Sequence, residues 1–155
     1  MSLDRDIASL RRAKIFSNFS DEQLRLVAFG GQRLNLPAGM ELFHNGQSAE
    51  SGYLILDGEI SVEIYKNPNT PETTKLGPGT LIGEMALLTR NRHVGTARVT
   101  ADAEVLKIRR DVMLRVLQEY PELAALLYQQ IAANVVNIGK DLERVEKRLS
   151  FPPNT

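Results

Sequence analysis

The sequence predicts a mostly β domain, a β-sandwich or barrel, with helices on both flanks. Three observations carry that prediction. About residues 31–109 hold several short apolar runs separated by glycine-rich turns, with no long helical pattern between them. The stretches before and after this block change to a helical period. The length, 155 residues, is that of one ordinary domain, so all three blocks are expected to form a single domain spanning 1–155.

The first block, about residues 3–30, opens with Ile7, Leu10 and Ile15 spaced along a charged stretch. Ser20-Asp21-Glu22-Gln23 then reads as a capping box, with Ser20 as cap and Gln23 at the third helical position. Leu24, Leu26 and Val27 follow, and Gly30-Gly31 stops the helix.

In the middle block Gln32 to Leu36 alternates, Pro37-Ala38-Gly39 turns the chain, and Glu41-Leu42-Phe43 leads to the turn dipeptide Asn45-Gly46. Tyr53 to Leu56 is a short apolar run ending at a second turn signal, Asp57-Gly58. Ile60, Val62 and Ile64 alternate with Ser61, Glu63 and Tyr65, and Asn67 to Pro71 and Gly77-Pro78-Gly79 read as loops. Ala97 to Thr100 and Val105 to Ile108 predict two further strands.

The last block, about residues 110–149, is helical. Val112, Leu114, Val116 and Leu117 belong to one helix ending near Tyr120, and Pro121 is suited to open the next. From there Ile131, Val135, Ile138, Leu142, Val145 and Leu149 recur at alternating steps of four and three, a heptad seam. A helix from Pro121 to Leu149 would run roughly 40 Å at 1.5 Å per residue, longer than a small barrel is wide. Its far end is therefore expected to pair with a second copy, giving a homodimer.

Composition narrows the chemistry. Nineteen Lys and Arg balance nineteen Asp and Glu, which argues against a broadly basic nucleic-acid surface or a polybasic membrane binder. No cysteine is present, so disulfides, thiolate metal sites and a cysteine nucleophile are excluded. With only His44 and His93, a multi-histidine metal centre is excluded too. The N-terminus has no apolar signal core, and the uncharged run Leu123 to Gly139 is shorter than the ~20 residues of a membrane span. A cytoplasmic protein that does not engage the membrane is the expectation.

One stretch concentrates chemistry: Ile82-Gly83-Glu84-Met85-Ala86-Leu87, and then Arg92-His93-Val94-Gly95-Thr96. A glycine breaks a strand, a carboxylate follows, a short helix begins, and basic groups come a few residues later. Amides at a helix start suit a phosphate, and Glu84 suits a sugar hydroxyl.

This segment resembles the phosphate-binding cassette of cyclic nucleotide-binding domains, the module of catabolite activators, protein kinase A regulatory subunits and cyclic-nucleotide-gated channels. Gly83-Glu84-Met85-Ala86-Leu87 matches the start of their pattern without a gap, and Thr96 matches its end. Asn45-Gly46, Tyr53 to Ile60 and Leu114 to Pro121 resemble the flanking strands and the linker to the long helix, so nearly the whole chain is covered. Two departures stand out. His93 occupies the position of the phosphate-gripping arginine and Val94 that of a small residue, with Gly95 in place of alanine. The polar pair that reaches the base from the long helix falls on Ile138 and Gly139.

The resemblance implies a β-roll or jelly roll with N-terminal helices and a long C-terminal helix. It also implies a non-enzymatic receptor for cAMP or cGMP, without cofactor or metal, whose ligand is held by residues 82–96. Gly83 and the Met85 and Ala86 amides would cradle the phosphate, Glu84 the ribose, and His93 or Arg92 would complete the charge. Arg92 lies on the opposite strand face from its neighbour and would need a bulge to serve. No DNA-reading module follows before Thr155, so direct DNA binding is not expected and a downstream protein partner, not identifiable from sequence, is. Two rivals remain: a degenerate dimerisation module that binds no nucleotide, and a cupin-like metalloenzyme, which lacks the His-x-His it would need. Arg90, Arg98 and His44 read as ordinary surface residues.

Overall fold

The structure is a computed structural model and describes residues 3–67 and 69–133. The chain divides into two compact units, Met1–Glu119 and Tyr120–Thr155.

In the first unit, α1 (Leu3–Arg11) leads through a 3-10 turn (Lys14–Phe16) to α2 (Asp21–Gly30). The capping box forms as expected: Ser20 Oγ accepts from the Gln23 amide at 3.1 Å, and Gln23 Oε1 accepts from the Ser20 amide at 2.8 Å. Asp21 and Glu22 add negative charge at the positive end of the helix. Gly31 ends the helix differently from expectation, because its backbone is extended and not left-handed. Its small size serves packing instead. A Cβ there would meet Leu106 Cδ1 at 2.8 Å, and one on Gly30 would meet Val112 Cγ1 at 2.6 Å.

Among the described residues eight strands follow: β1 (Gln32–Leu36), β2 (Glu41–Phe43), β3 (Ser48–Ala49), β4 (Ser51–Asn67), β5 (Thr70–Leu76), β6 (Leu81–Ile82), β7 (Asn91–Arg92) and β8 (Thr96–Arg109). The main sheet runs β1-β8-β4-β5, with β2 also on β8 and β6 also on β4; β3 and β7 form a separate ribbon. The pairings are antiparallel, as in a β-roll flanked by helices.

Three sequence expectations need correction here. Asp57-Gly58 does not end a strand: β4 continues through it with register shifts against β8 between Ile55 and Ile60. Gly58 has φ +89°, and a Cβ on it would come within 2.3 Å of the Asp102 carbonyl oxygen, so the two long strands cross at a bulge only glycine fills. The segments 97–100 and 105–108 are likewise one strand, β8. Finally, β5 starts at Thr70 inside the expected loop. Its side chains are exposed apart from Leu76, so no alternation marked it.

The core fills the inner face of the roll with Leu36, Phe43, Ile55, Ile60, Ile82, Ala97, Val99, Ala103 and Val105. Burying each large aliphatic among them contributes about 1.5–3 kcal/mol. Leu10, Phe16, Leu24 and Val27 from the N-terminal helices, and Phe19 just before α2, are buried as well. Arg33 fastens α1 to the sheet by binding Asp6 through both carboxylate oxygens and Glu104 through one. Then α3 (Arg110–Glu119) buries Met113, Val116 and Leu117.

In the second unit, residues 121–133 are helical after a break at Tyr120, as Pro121 predicts. Ile131 of the heptad seam lies on this helix; Val135, Ile138, Leu142, Val145 and Leu149 lie outside the described residues. Among the described residues no helix is long and apolar enough to cross a membrane.

Candidate functional site

The segment 82–96 leaves the sheet at β6 and returns at β8. Ile82 is buried in the core, paired with Tyr53 of β4, and anchors the start. Gly83 then turns the chain with φ +78° and ψ +35°, the left-handed region, as N-cap of a 3-10 turn spanning Glu84–Leu87. A side chain there would also press on the Ser51 carbonyl at 3.1 Å. Ala86 and Leu87 are buried, and Leu87 packs 3.2–3.3 Å from where a Cβ on Gly52 would stand, so the turn sits directly on β4.

The polarity of this turn is fixed by its hydrogen bonds. The Ala86 amide donates to the Gly83 carbonyl at 3.0 Å, and the Leu88 and Thr89 amides donate to Met85 at 3.2 and 3.1 Å. The Ala86 amide, expected in a phosphate cradle, is therefore spent within the turn. Those of Glu84 and Met85 have no acceptor among the described residues. The Glu84 side chain is exposed and also unpartnered among the described residues. Two amides and an exposed carboxylate thus stand at the start of the turn without a partner among the described residues.

The returning half is built differently. Arg92 is exposed on the β3–β7 ribbon and donates to the Gly46 carbonyl at 2.8 Å. His93 is only 9% exposed. Its ring stacks on Phe43 with centroids 3.6 Å apart and planes 8° from parallel. Burial pushes its pKa below the usual histidine value, which favours the neutral ring. A Cβ on Gly83 would lie 3.6 Å from His93 Cε1, so the two ends of the segment do meet. The imidazole also borders a cavity of about 170 Å³ together with Gln47, Ser48, Glu50, Ser51, Tyr53 and Lys107.

Val94 is 72% exposed, and Gly95 takes φ +98°. A Cβ on Gly95 would stand 2.8 Å from the Glu63 carbonyl and 2.9 Å from Ile64 Cγ1, so alanine at this position does not fit this backbone. Asn45 orders the segment from across the roll: its Oδ1 accepts from the Gly95 amide at 2.8 Å, and its amide donates to Thr96 Oγ1 at 3.2 Å. The sequence marks Asn45 only as a turn residue, and no local signal reveals this second role. Phe43 and Arg110 are equally unmarked. Arg110 Nη1 reaches the carbonyls of Ala49, Ala86 and Thr89. Arg98 and His44 are exposed residues near Glu41, at 3.6 and 3.7 Å.

A family model described as the cyclic nucleotide-binding domain matches residues 33–120, which span β1 to the end of α3. The chain belongs to this family. A solved structure of a cyclic nucleotide-binding-like protein from Brucella abortus is 39% identical, with a TM-score of 0.66, covering 73% of this chain and 97% of that one. The catabolite activator protein of Thermus thermophilus superposes with a TM-score of 0.71 at 26% identity, over 85% of this chain and 62% of that one. Lysophospholipase NTE1 of Chaetomium globosum is 28% identical over 130 residues, 83% of this chain but 8% of that protein. The chain thus spans less than a tenth of that relative's length.

Proposed function

We propose that this chain is a non-enzymatic regulatory module that binds a cyclic nucleotide, cAMP or cGMP, against residues 83–96. The observation that carries the reading is the left-handed Gly83 followed by two unpaired amides and the exposed Glu84 carboxylate, in a chain of this family. The Glu84 and Met85 amides bind the cyclic phosphate, and Glu84 accepts from the ribose hydroxyl. No guanidinium at 92 or 93 completes the phosphate site, because Arg92 is turned to Gly46 and position 93 is a neutral ring. A charge-assisted hydrogen bond is worth about 1.5–3 kcal/mol, so affinity is roughly 10–100-fold weaker than with arginine at position 93.

Occupation of the segment is read by the helices after β8, and the heptad spacing of Ile131, Val135, Ile138, Leu142, Val145 and Leu149 supports a homodimer. Replacing Ile138 and Leu142 together by Lys should give monomers in sedimentation, and a monomeric parent would remove the dimer. The burial of His93 on Phe43 favours one second reading, a module that keeps the fold and binds no nucleotide. Isothermal titration of the parent with cAMP and cGMP separates the two: measurable heat supports the receptor, and none at millimolar ligand supports the second reading.

A further inference from the structure

Arg110, the first residue of α3, is not part of the nucleotide cradle, yet its side chain closes the opposite end of the same turn. Nη1 lies 3.0 Å from the Ala49 carbonyl of β3, 3.2 Å from that of Ala86 and 3.2 Å from that of Thr89. The backbone amide of Arg110 donates to the Glu50 carbonyl at 3.0 Å. One nitrogen carries two hydrogens, so three acceptors around it share them, at least one hydrogen being bifurcated.

The physical reason for a cation at this place is plain. The 3-10 turn stops at Leu87, which leaves carbonyls at its C-terminal end without a continuing helix to donate to them. Those carbonyls carry the negative end of the turn, and a guanidinium beside them satisfies both needs at once. The side chain is part-buried, so these bonds are exposed to less competition from water than surface ones. Because all three bonds come from one nitrogen, a lysine ammonium keeps the charge and the donors but carries them on a shorter stem, so it restores these contacts only in part.

From this geometry we infer that Arg110 is a positioning residue for nucleotide binding: it holds the 84–89 turn against β3 and the start of α3, and so sets where the Glu84 and Met85 amides stand. This rests on the reading of 83–96 as the nucleotide cradle.

The test compares the parent with Arg110→Lys and Arg110→Met by hydrogen exchange without nucleotide, and then by titration with cAMP. Arg110→Met should speed exchange of the Ala86, Leu88 and Thr89 amides about tenfold or more, while β4 and β8 amides keep their parent rates. Arg110→Lys should fall between the two. Affinity for cAMP should drop in the same order, about tenfold or more for Met with partial rescue by Lys, although neither side chain touches the ligand. Parent exchange rates at 86–89 in both variants would overturn the inference, as would uniformly faster exchange across β4 and β8, which marks a general loss of stability. Should Arg110→Met fail to fold, Arg110→Lys alone decides, by faster exchange confined to 86–89 or its absence. If the parent binds no cAMP, the cradle reading fails while the exchange result still settles whether Arg110 holds the turn.

Discussion

The two halves of the 83–96 segment answer the same requirement in opposite ways. The outgoing half, Gly83 to Leu87, keeps the sequence of the family pattern, and its backbone is the one that sequence dictates: a left-handed glycine, a 3-10 turn, an exposed carboxylate. The returning half, Arg92 to Thr96, departs in sequence, and its side chains have found other partners: Gly46 for Arg92, Phe43 for His93, Asn45 for Gly95 and Thr96. The difference teaches that backbone donors and side-chain donors are separable parts of the proposed phosphate site. The first survive because glycine and the turn geometry enforce them. The second are engaged within the roll, by hydrogen bonds and by the stack on Phe43.

The largest expected effect breaks the outgoing half. Glu84→Ala removes a carboxylate that is exposed and unpartnered among the described residues, so the unfolding free energy should change by no more than a surface substitution does, about 0.5 kcal/mol. Nucleotide affinity measured by titration should nonetheless fall roughly 10–100-fold. Next, His93→Arg tests the returning half by restoring the missing cation. Affinity should rise roughly 10–100-fold, while loss of the Phe43 stack costs about 0.5–1.5 kcal/mol in denaturant unfolding. An unchanged affinity would show that position 93 does not face the ligand.

Gly95→Ala brings the chain closer to the family pattern and should still harm it. With φ +98° and the Glu63 carbonyl 2.8 Å away, the variant should lose about 1–3 kcal/mol, read from its unfolding midpoint. A more stable variant would mean that the returning half has a second backbone state.

The smallest expected effect concerns pH. His93 is buried neutral with its pKa lowered by burial, so the unfolded chain takes up a proton more readily than the folded one. The stability from this ring is fully present above the unfolded value, about 6.5, and is lost as pH falls from there through the folded pKa. In His93→Phe, which keeps the stack, the part of the acid slope due to this ring should vanish. A phosphate-gripping imidazolium would act the other way on binding, strengthening affinity as pH falls.

Which parts of this were legible in the sequence follows from range. The capping box at Ser20 and Gln23, the break at Tyr120-Pro121 and the Gly83-Glu84 turn are encoded within a few residues, and reading them needs no partner. Gly58 shows the limit: Asp-Gly is a turn signal locally, and only the approach of Asp102 from β8 makes it a bulge. β5 was invisible because a strand exposed along its length shows no alternation. The roles of Asn45 and Arg110 are hidden by distance, as that of Gly58 is, since their partners lie up to 61 residues away along the chain.

The central claim is that backbone amides and Glu84 hold a cyclic nucleotide here without an arginine. Isothermal titration of the parent and Glu84→Ala with cAMP and cGMP at pH 7 tests it most directly. The account predicts weak, saturable binding of at least one of them to the parent and its loss in Glu84→Ala. Equal binding by both proteins, or no binding by the parent at millimolar ligand, would contradict it.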